Sequence, residues 1–332
     1  MLYQKHFLFI IPALILLVFI IPVLLSEDPL VLEDKVEVED TAIILFAVGD
    51  IILDRGVELN IKKNGNGDFR FPFLRIADDL KEADILFGNL EGLISDQGEN
   101  VGSIYSFRAN PEAIEGLKYA GFDVLSLANN HMLDYGRDAL EDTFKRLKEA
   151  GIDYVGAGLN EQEAYSPLIK EVKETKIAFL AYTDLGPESW KATNEYSGMA
   201  WINEEDMERV KKDIEKAKEE SDILIISLHS GKEYSTTPSS FQSYFFKACI
   251  DAGADMGIGH HPHVVQDVEK YGDGWIAYSL GNFVFDQGFS EETMESCLLR
   301  ITIKDKKIEQ VSCQKVKISD FFQPYFTEKS DI

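Results

Sequence analysis

Cysteine is nearly absent from this chain. The three that occur, Cys249, Cys297 and Cys313, have no CxxC spacing, which leaves no basis for a thiolate metal site or a multi-bridge disulfide framework. Cys297 and Cys313 fall on neighbouring predicted strands, where they either pair or stay as buried thiols. Basic residues are also short: 33 Lys and Arg against 58 Asp and Glu give a formal charge of −25. Such a charge repels nucleic acid and anionic headgroups, so no nucleic-acid partner is expected. Internal repeats and low-complexity blocks are missing too, and one domain suffices. Histidine is scarce, six in 332 residues, yet His260, His261 and His263 all stand in the stretch GIGHHPHVVQ.

What the chain does have is apolar sequence, 45% of its residues, ample for a buried core. Residues 7–25, FLFIIPALILLVFIIPVLL, form an uncharged run long enough to cross a bilayer as a helix. Lys5 and His6 precede it and the acidic SEDPLVLEDKVEVED follows, so residues 1–6 are expected in the cytoplasm and the body outside, as a single-pass cell-membrane protein. A cleaved signal peptide is the rival reading, against which stand the length of the run and the lack of a small-x-small site. Residues 26–41 read as a solvated acidic stalk, 42–318 as the domain and 319–332 as a tail.

From TAIILFAVGD onward, short apolar runs alternate with amphipathic stretches, the pattern of a layered α/β domain. Helices are expected at 111–120, 136–150, 204–220 and 238–252. Strands are expected at IILFAVGD, ADILFGNLE, FDVLSLANNH, IDYVGAG, KIAFLAYTD, SDILIISLHSG, ADMGIGHH, WIAYSLGN, SCLLRITIK and KIEQVSCQKVKI. The last two enclose a tight turn at Lys304 to Lys307 and predict an antiparallel hairpin, hence a mixed sheet.

Predicted strands repeatedly end in a small residue followed by a metal-competent side chain: Asp50 in AVGD, Asn89 and Glu91 in FGNLEG, Asn130 and His131 in LANNH, His229 in SLHSG, and the HHPH cluster. In open α/β sheets ligands bind beyond the carboxyl ends of strands, so these residues are candidates for one crevice. Carboxylate, amide oxygen and imidazole together suit a divalent ion such as Mn, Zn, Fe or Mg. Each residue alone has a plainer reading: Asp50 as a helix cap, His229 as a core histidine, Asn129 and Asn130 as turn formers. Five strand ends with ligand types weigh against coincidence. In an extended segment residues two apart share a side, which pairs His261 with His263 and turns His260 away as their support.

In this order, GDIILDRG, GNLEG, SLANNHMLDYG, HSGKEY, GHHPHVVQ and YSLGNFVFDQ resemble the CapA family, also called PgsA, of poly-γ-glutamate capsule biosynthesis, within the calcineurin-like metallophosphoesterase superfamily. The resemblance covers roughly residues 42 to 290. It implies a four-layer αββα sandwich with metal at the ends of its central strands. It casts Asp50 as the first-motif aspartate, Asn89 in the place of a bridging aspartate with Glu91 as substitute, and Asn130, His229, His261 and His263 as further ligands. His131 takes the place of the histidine that protonates the leaving group. Departures are Ile52 where a histidine is usual, Asn89 where an aspartate is usual, and Ser230 where a tryptophan is usual, so one ligand and one negative charge are missing.

Within that framework Asp134 is placed to fix the His131 tautomer, and Glu233 to hold His229 or meet substrate. Arg55 and Arg108 are candidates for phosphate or carboxylate contacts, with a surface ion pair as the alternative. Asn282 and Asp286 are expected along the crevice. The resemblance implies an anchored extracellular component of poly-γ-glutamate assembly, working with membrane synthase subunits and the polymer. The alternatives are a metal-dependent hydrolase of a phosphate-bearing small molecule and a non-enzymatic scaffold.

Overall fold

The computed structural model describes residues 42–327. The apolar run at 7–25 and the stalk at 26–41 lie outside the described residues, among which no helix is long and apolar enough to cross a membrane. In chain order the principal strands are β1 (Ile43–Ile51), β2 (Ile85–Leu90), β3 (Val124–Ser126), β4 (Asp153–Val155), β5 (Leu168–Val172), β6 (Thr175–Thr183) and β7 (Ile223–His229). They continue with β8 (Met256–His260), β9 (Val268–Tyr271), β10 (Gly274–Ala277), β11 (Asn282–Val284), β12 (Glu295–Lys304), β13 (Lys307–Ile318) and β14 (Pro324–Phe326). The longer helices are α1 (Arg55–Asn64), α2 (Ile114–Ala120), α3 (Gly136–Ala150), α4 (Met207–Glu220) and α5 (Ser240–Asp251).

Two mixed sheets result. The first runs β14-β13-β12-β1-β2-β3-β4, with β11 pairing parallel to the end of β1. The second runs β9-β10-β8-β7-β6-β5. Alternation along the strands explains their stacking. Leu45 and Ala47 of β1 and Ile223 and Ile225 of β7 enter one shared core between the sheets, where Phe87 stacks on Phe179 at 5.6 Å. Phe46 and Val48 face the other way and meet Ile61 of α1, Leu117 of α2 and Leu140 of α3. On the far side, Leu224 and Ile226 meet Val210 of α4 and Phe245 of α5. Helix, sheet, sheet and helix layers follow, the four-layer α/β arrangement that the resemblance implies.

Residues 136–150 are helical as expected, and α5 starts on a capping box in which Ser239 accepts from Gln242 N and the Gln242 side chain accepts from Ser239 N. In the β12–β13 hairpin, Lys304 pairs with Lys307 while Asp305 and Lys306 take φ of 49° and 60°, the left-handed conformation of a tight two-residue turn. Cys297 and Cys313 form a disulfide across these strands, with Cys249 a buried free thiol.

Other expectations need correcting. Residues 275–282 do not form one strand: the chain leaves the second sheet after Ala277 and joins the first at Asn282, a crossing from one sheet to the other. α1, β5, β9 and β14 were not expected. α1 buries only Val57 and Ile61, too few for a clear helical pattern. The tail assigned to 319–332 is in part strand, because Pro324–Phe326 pairs with β13 and Gln323 donates to Phe71 O at 2.6 Å.

Candidate metal centre

The carboxyl ends of β1, β2, β3, β7 and β8 converge, as the strand-end pattern predicts. Asp50 lies opposite Asn89 in one sheet and His229 opposite His260 in the other. Close backbone passage brings them together. A Cβ on Gly49 would stand 1.9 Å from Gly281 O, and one on Gly259 1.9 Å from Tyr278 O, so both positions must lack a side chain to let the 278–281 crossing pass. Asp50 N and Ile52 N donate to Gly281 O at the end of that crossing and to Val284 O just beyond it.

At the centre, Asp50, Glu91 and His229 are buried and offer ligand atoms that all lie within 4.8 Å of one another. Glu91 Oε1 has no hydrogen-bond partner, and a buried acceptor left unmade costs about 1–3 kcal/mol. Two oxygens and an imidazole nitrogen suit a divalent ion of hard or borderline character, and an orphaned carboxylate oxygen is what such an ion would satisfy. The residues fit the group they were expected to hold.

The remaining candidates are redistributed. Asn89 turns a donor rather than an oxygen towards the centre, giving Nδ2 to Asp50 Oδ1 at 2.9 Å. Asn130 Oδ1 lies 2.8 Å from His229 Nε2, so that nitrogen carries the proton and Nδ1 the lone pair. With both ring nitrogens facing asparagines, His229 is not held by Glu233, which has moved to the cavity wall. His263 Nδ1 lies 3.0 Å from Asn282 Oδ1 and 3.4 Å from Asp50 Oδ2, and its Nε2 lies 3.7 Å from Glu91 Oε1.

The alternation expected for the histidines fails. His261 and His263 have φ of 95° and 59°, so the segment is not extended and spacing by two no longer fixes a common side. His260, expected to face away, instead places Nδ1 3.3 Å from Asp50 Oδ1, close enough to act on that carboxyl. His261 gives its backbone N to Asp50 Oδ2 at 3.1 Å, leaves Nδ1 unpartnered and sets its ring 4.9 Å from that of His229. Arg55 and Tyr234, beside the crevice, are also left-handed, at 53° and 62°. Such backbone is worth roughly 1–3 kcal/mol of strain per residue and collects where surrounding structure imposes a geometry.

His131 is held from two sides. Its Nδ1 lies 2.7 Å from Asp134 Oδ2, which also accepts from Phe107 N at 2.8 Å, and its ring stacks on Phe107 with centroids 3.9 Å apart. With Nδ1–H given to Asp134, Nε2 carries the lone pair and lies 3.8 Å from Glu91 Oε1.

Charge is distributed unevenly. Burial alone would lift the Asp50 carboxyl, but the contacts and charges of His260 and His263 outweigh it and hold Asp50 well below the ordinary range. Burial, then the Asp50 charge, pushes Glu91 well above it. Burial, then His261, lowers His229, and burial with His263 brings His261 down to about 3. Burial opposes protonation of His263, yet Glu91 and Asp50 raise it to about 9.

Above the centre lies a cavity of 240 Å³ lined by Arg55, Glu91, Tyr105, Phe107, His131, Glu233, Tyr234, His263, Phe285, Asp286, Gln287 and Phe289. Arg55 pairs with Asp286 at 2.7 Å and lies 4.8 Å over the Phe107 ring, so the ion pair expected as the alternative and the cavity position are both present. Arg108 is corrected: its Nη1 donates to Gln97 O and Gly98 O, the guanidinium covers Tyr135, and it is not among the lining residues. Asn282 is corrected as well, because it is buried with its amide spent on His263, Gln287 and Thr293. Asp286 reaches the cavity, and Phe285 serves both core and wall. Tyr105, Tyr234 and Phe289 were missed; loop aromatics carry no periodicity that separates a rim from a core. A larger cleft of 540 Å³ lies at the edge strands by Tyr154 and Leu168, but it holds none of the candidate residues.

The sequence pattern of the family described as Bacterial capsule synthesis protein PGA_cap matches residues 44–287. The Capsule biosynthesis protein CapA of Bacillus anthracis is 36% identical over 272 residues, 80% of this chain and 65% of that protein, so the chain matches less than two thirds of that relative. The PGA biosynthesis protein CapA of Bacillus subtilis (strain 168) is 34% identical over 260 residues, 77% of this chain and 67% of that protein. Among solved structures, a hypothetical protein from Thermus thermophilus superposes with a TM-score of 0.52 at 13% identity, over 83% of this chain and 99% of that one. A novel phosphatase from Mycoplasma pneumoniae superposes with a TM-score of 0.51 at 13% identity, over 83% and 94%. These two likenesses concern the fold.

Proposed function

The chain belongs to the bacterial capsule synthesis protein PGA_cap family, and on that premise we propose that it is a membrane-anchored, extracellular component of poly-γ-glutamate capsule biosynthesis that handles polymer at a metal centre. The observation that carries this reading is the buried Asp50–Glu91–His229 group with its orphaned Glu91 oxygen, facing the His131–Asp134 pair across one cavity. The names of the Bacillus relatives support the capsule assignment. Location is supported by the apolar run at 7–25 with Lys5 before it and carboxylates after it, and by a disulfide, a bond favoured outside the cytoplasm. Membrane synthase subunits are the expected partners.

Asp50, Glu91 and His229 would hold the ion, with His260, His261 and His263 near enough to adjust around it. A divalent ion there supplies Lewis-acid polarisation of a phosphoryl or acyl oxygen and makes water more acidic. The chain's own groups do the rest. Asp134 fixes His131 with Nε2 towards the cavity, so His131 accepts a proton at Nε2 when neutral and returns it to a leaving atom when charged. Arg55, with Nε and Nη2 on Asp286, keeps further N–H groups for a carboxylate or phosphate. Arg55, on the cavity wall, offsets locally the repulsion that a net charge of −25 exerts on a polyanion.

The second reading is a surface phosphoester hydrolase, favoured by the His131–Asp134 geometry, an acid–base pair ready for a leaving oxygen. The two separate on the purified chain with Mn, Zn or Mg and a panel of phosphomonoesters and phosphodiesters. Turnover lost in His131→Ala selects the hydrolase. Absence of turnover, with loss of capsule polymer on deletion of the gene, selects assembly. Deletion without effect on polymer, and no turnover, overturns both.

A further inference from the structure

The orientation of the Asn89 amide follows from bookkeeping that starts at the backbone. Asn129 Oδ1 accepts from His131 N at 3.1 Å, and a backbone N–H can only donate. Asn129 Nδ2 donates to Leu90 O at 2.8 Å, and a carbonyl can only accept. With both ends fixed in this way, Asn129 turns its NH₂, at 3.1 Å, on Asn89 Oδ1. Asn89 must then point its own NH₂ the other way. That nitrogen stands 2.9 Å from Asp50 Oδ1, 3.3 Å from His229 Nδ1 and 3.5 Å from Glu91 Oε2, touching every member of the candidate metal group. Reversing it would set NH₂ against NH₂ at Asn129 and oxygen against oxygen at Asp50.

We propose that Asn89, aimed by Asn129, is a built-in stand-in for a cation: its NH₂ holds Asp50, Glu91 and His229 together when no ion is bound and must yield when one enters. Asn89 is thus a positioning residue that sets how tightly this group takes a divalent ion. The inference rests on the reading of that group as a metal centre. A carboxylate at the same place would remove the donor and add a charge, favouring the ion and opposing the ion-free fold. A methyl group would remove the donor alone.

The test is calorimetric titration with Mn²⁺ of the full-length wild type, Asn89→Asp and Asn89→Ala, with thermal unfolding of each in EDTA. Asn89→Asp is expected to bind Mn²⁺ at least tenfold more tightly, to unfold at a lower temperature in EDTA and to regain stability with Mn²⁺. Asn89→Ala is expected to lose stability in EDTA and still bind Mn²⁺ more tightly than wild type, a gain that a merely structural asparagine would not produce; it serves alone if Asn89→Asp fails to fold. Equal affinities in all chains would overturn the inference and leave the metal reading standing. Uptake by the variants but not by wild type would support the inference against that reading, and uptake by none would sink both.

Discussion

Replacing Glu91 with glutamine should stabilise the ion-free protein while disabling its centre. Glu91 is 1% exposed, its Oε1 has no hydrogen-bond partner, and burial followed by the Asp50 charge raises its carboxyl well above the ordinary value of 4.5. A raised acid keeps its proton in the folded state while the unfolded chain releases it. Above about pH 4.5 the unfolded state therefore binds fewer protons, and stability falls as pH rises until the folded-state value is reached. Glutamine has nearly the same shape and no such titration. In EDTA at pH 8, Glu91→Gln should exceed wild type by about 1.4 kcal/mol for each unit by which burial holds the wild-type carboxyl above 4.5, and the gap should close towards pH 5. Adding Mn²⁺ at a hundred times its dissociation constant should return about 2.7 kcal/mol to wild type and little to the variant. Urea titrations at the two pH values, with EDTA or Mn²⁺, measure all of this. A variant no more stable than wild type at pH 8 in EDTA, or one equally protected by Mn²⁺, refutes the reasoning.

Two further expectations follow from particular contacts. Gly49→Ala would place a Cβ 1.9 Å from Gly281 O; forcing the crossing away should cost about 1–3 kcal/mol and loosen Asp50, seen as a lower urea midpoint and weaker Mn²⁺ uptake, and a variant within about 0.5 kcal/mol of wild type would contradict it. Thiol titration should find no reactive cysteine in the native chain, because Cys249 is buried and its thiol pushed up by burial while Cys297 and Cys313 are joined; unfolding should expose one thiol and subsequent reduction three, whereas three before reduction would disprove the bridge.

Much of the site could be read from residue types at strand ends, because Asp50, Glu91 and His229 follow runs whose burial and alternation were plain in the sequence. Conformation beyond the last strand residue could not. His260, His261 and His263 were assigned sides by a periodicity that holds only for extended backbone, and two of them are left-handed. Asn129 passed for a turn former because its importance lies in two backbone partners, Leu90 and His131, on either side of the crevice. Arg108 and Asn282 have the chemistry of substrate contacts, but nearby carbonyls and side chains already use it, and such competition appears only in three dimensions. β14 was hidden because three residues, Pro324–Phe326, are too few to show a period of two.

The most direct test of the metal centre is anomalous scattering from crystals soaked in Mn²⁺, with the same soak applied to His229→Ala. A single strong peak among Asp50, Glu91 and His229, absent in the variant, is the predicted result. No peak there in well-ordered wild-type crystals, or a peak unchanged in His229→Ala, would contradict the account.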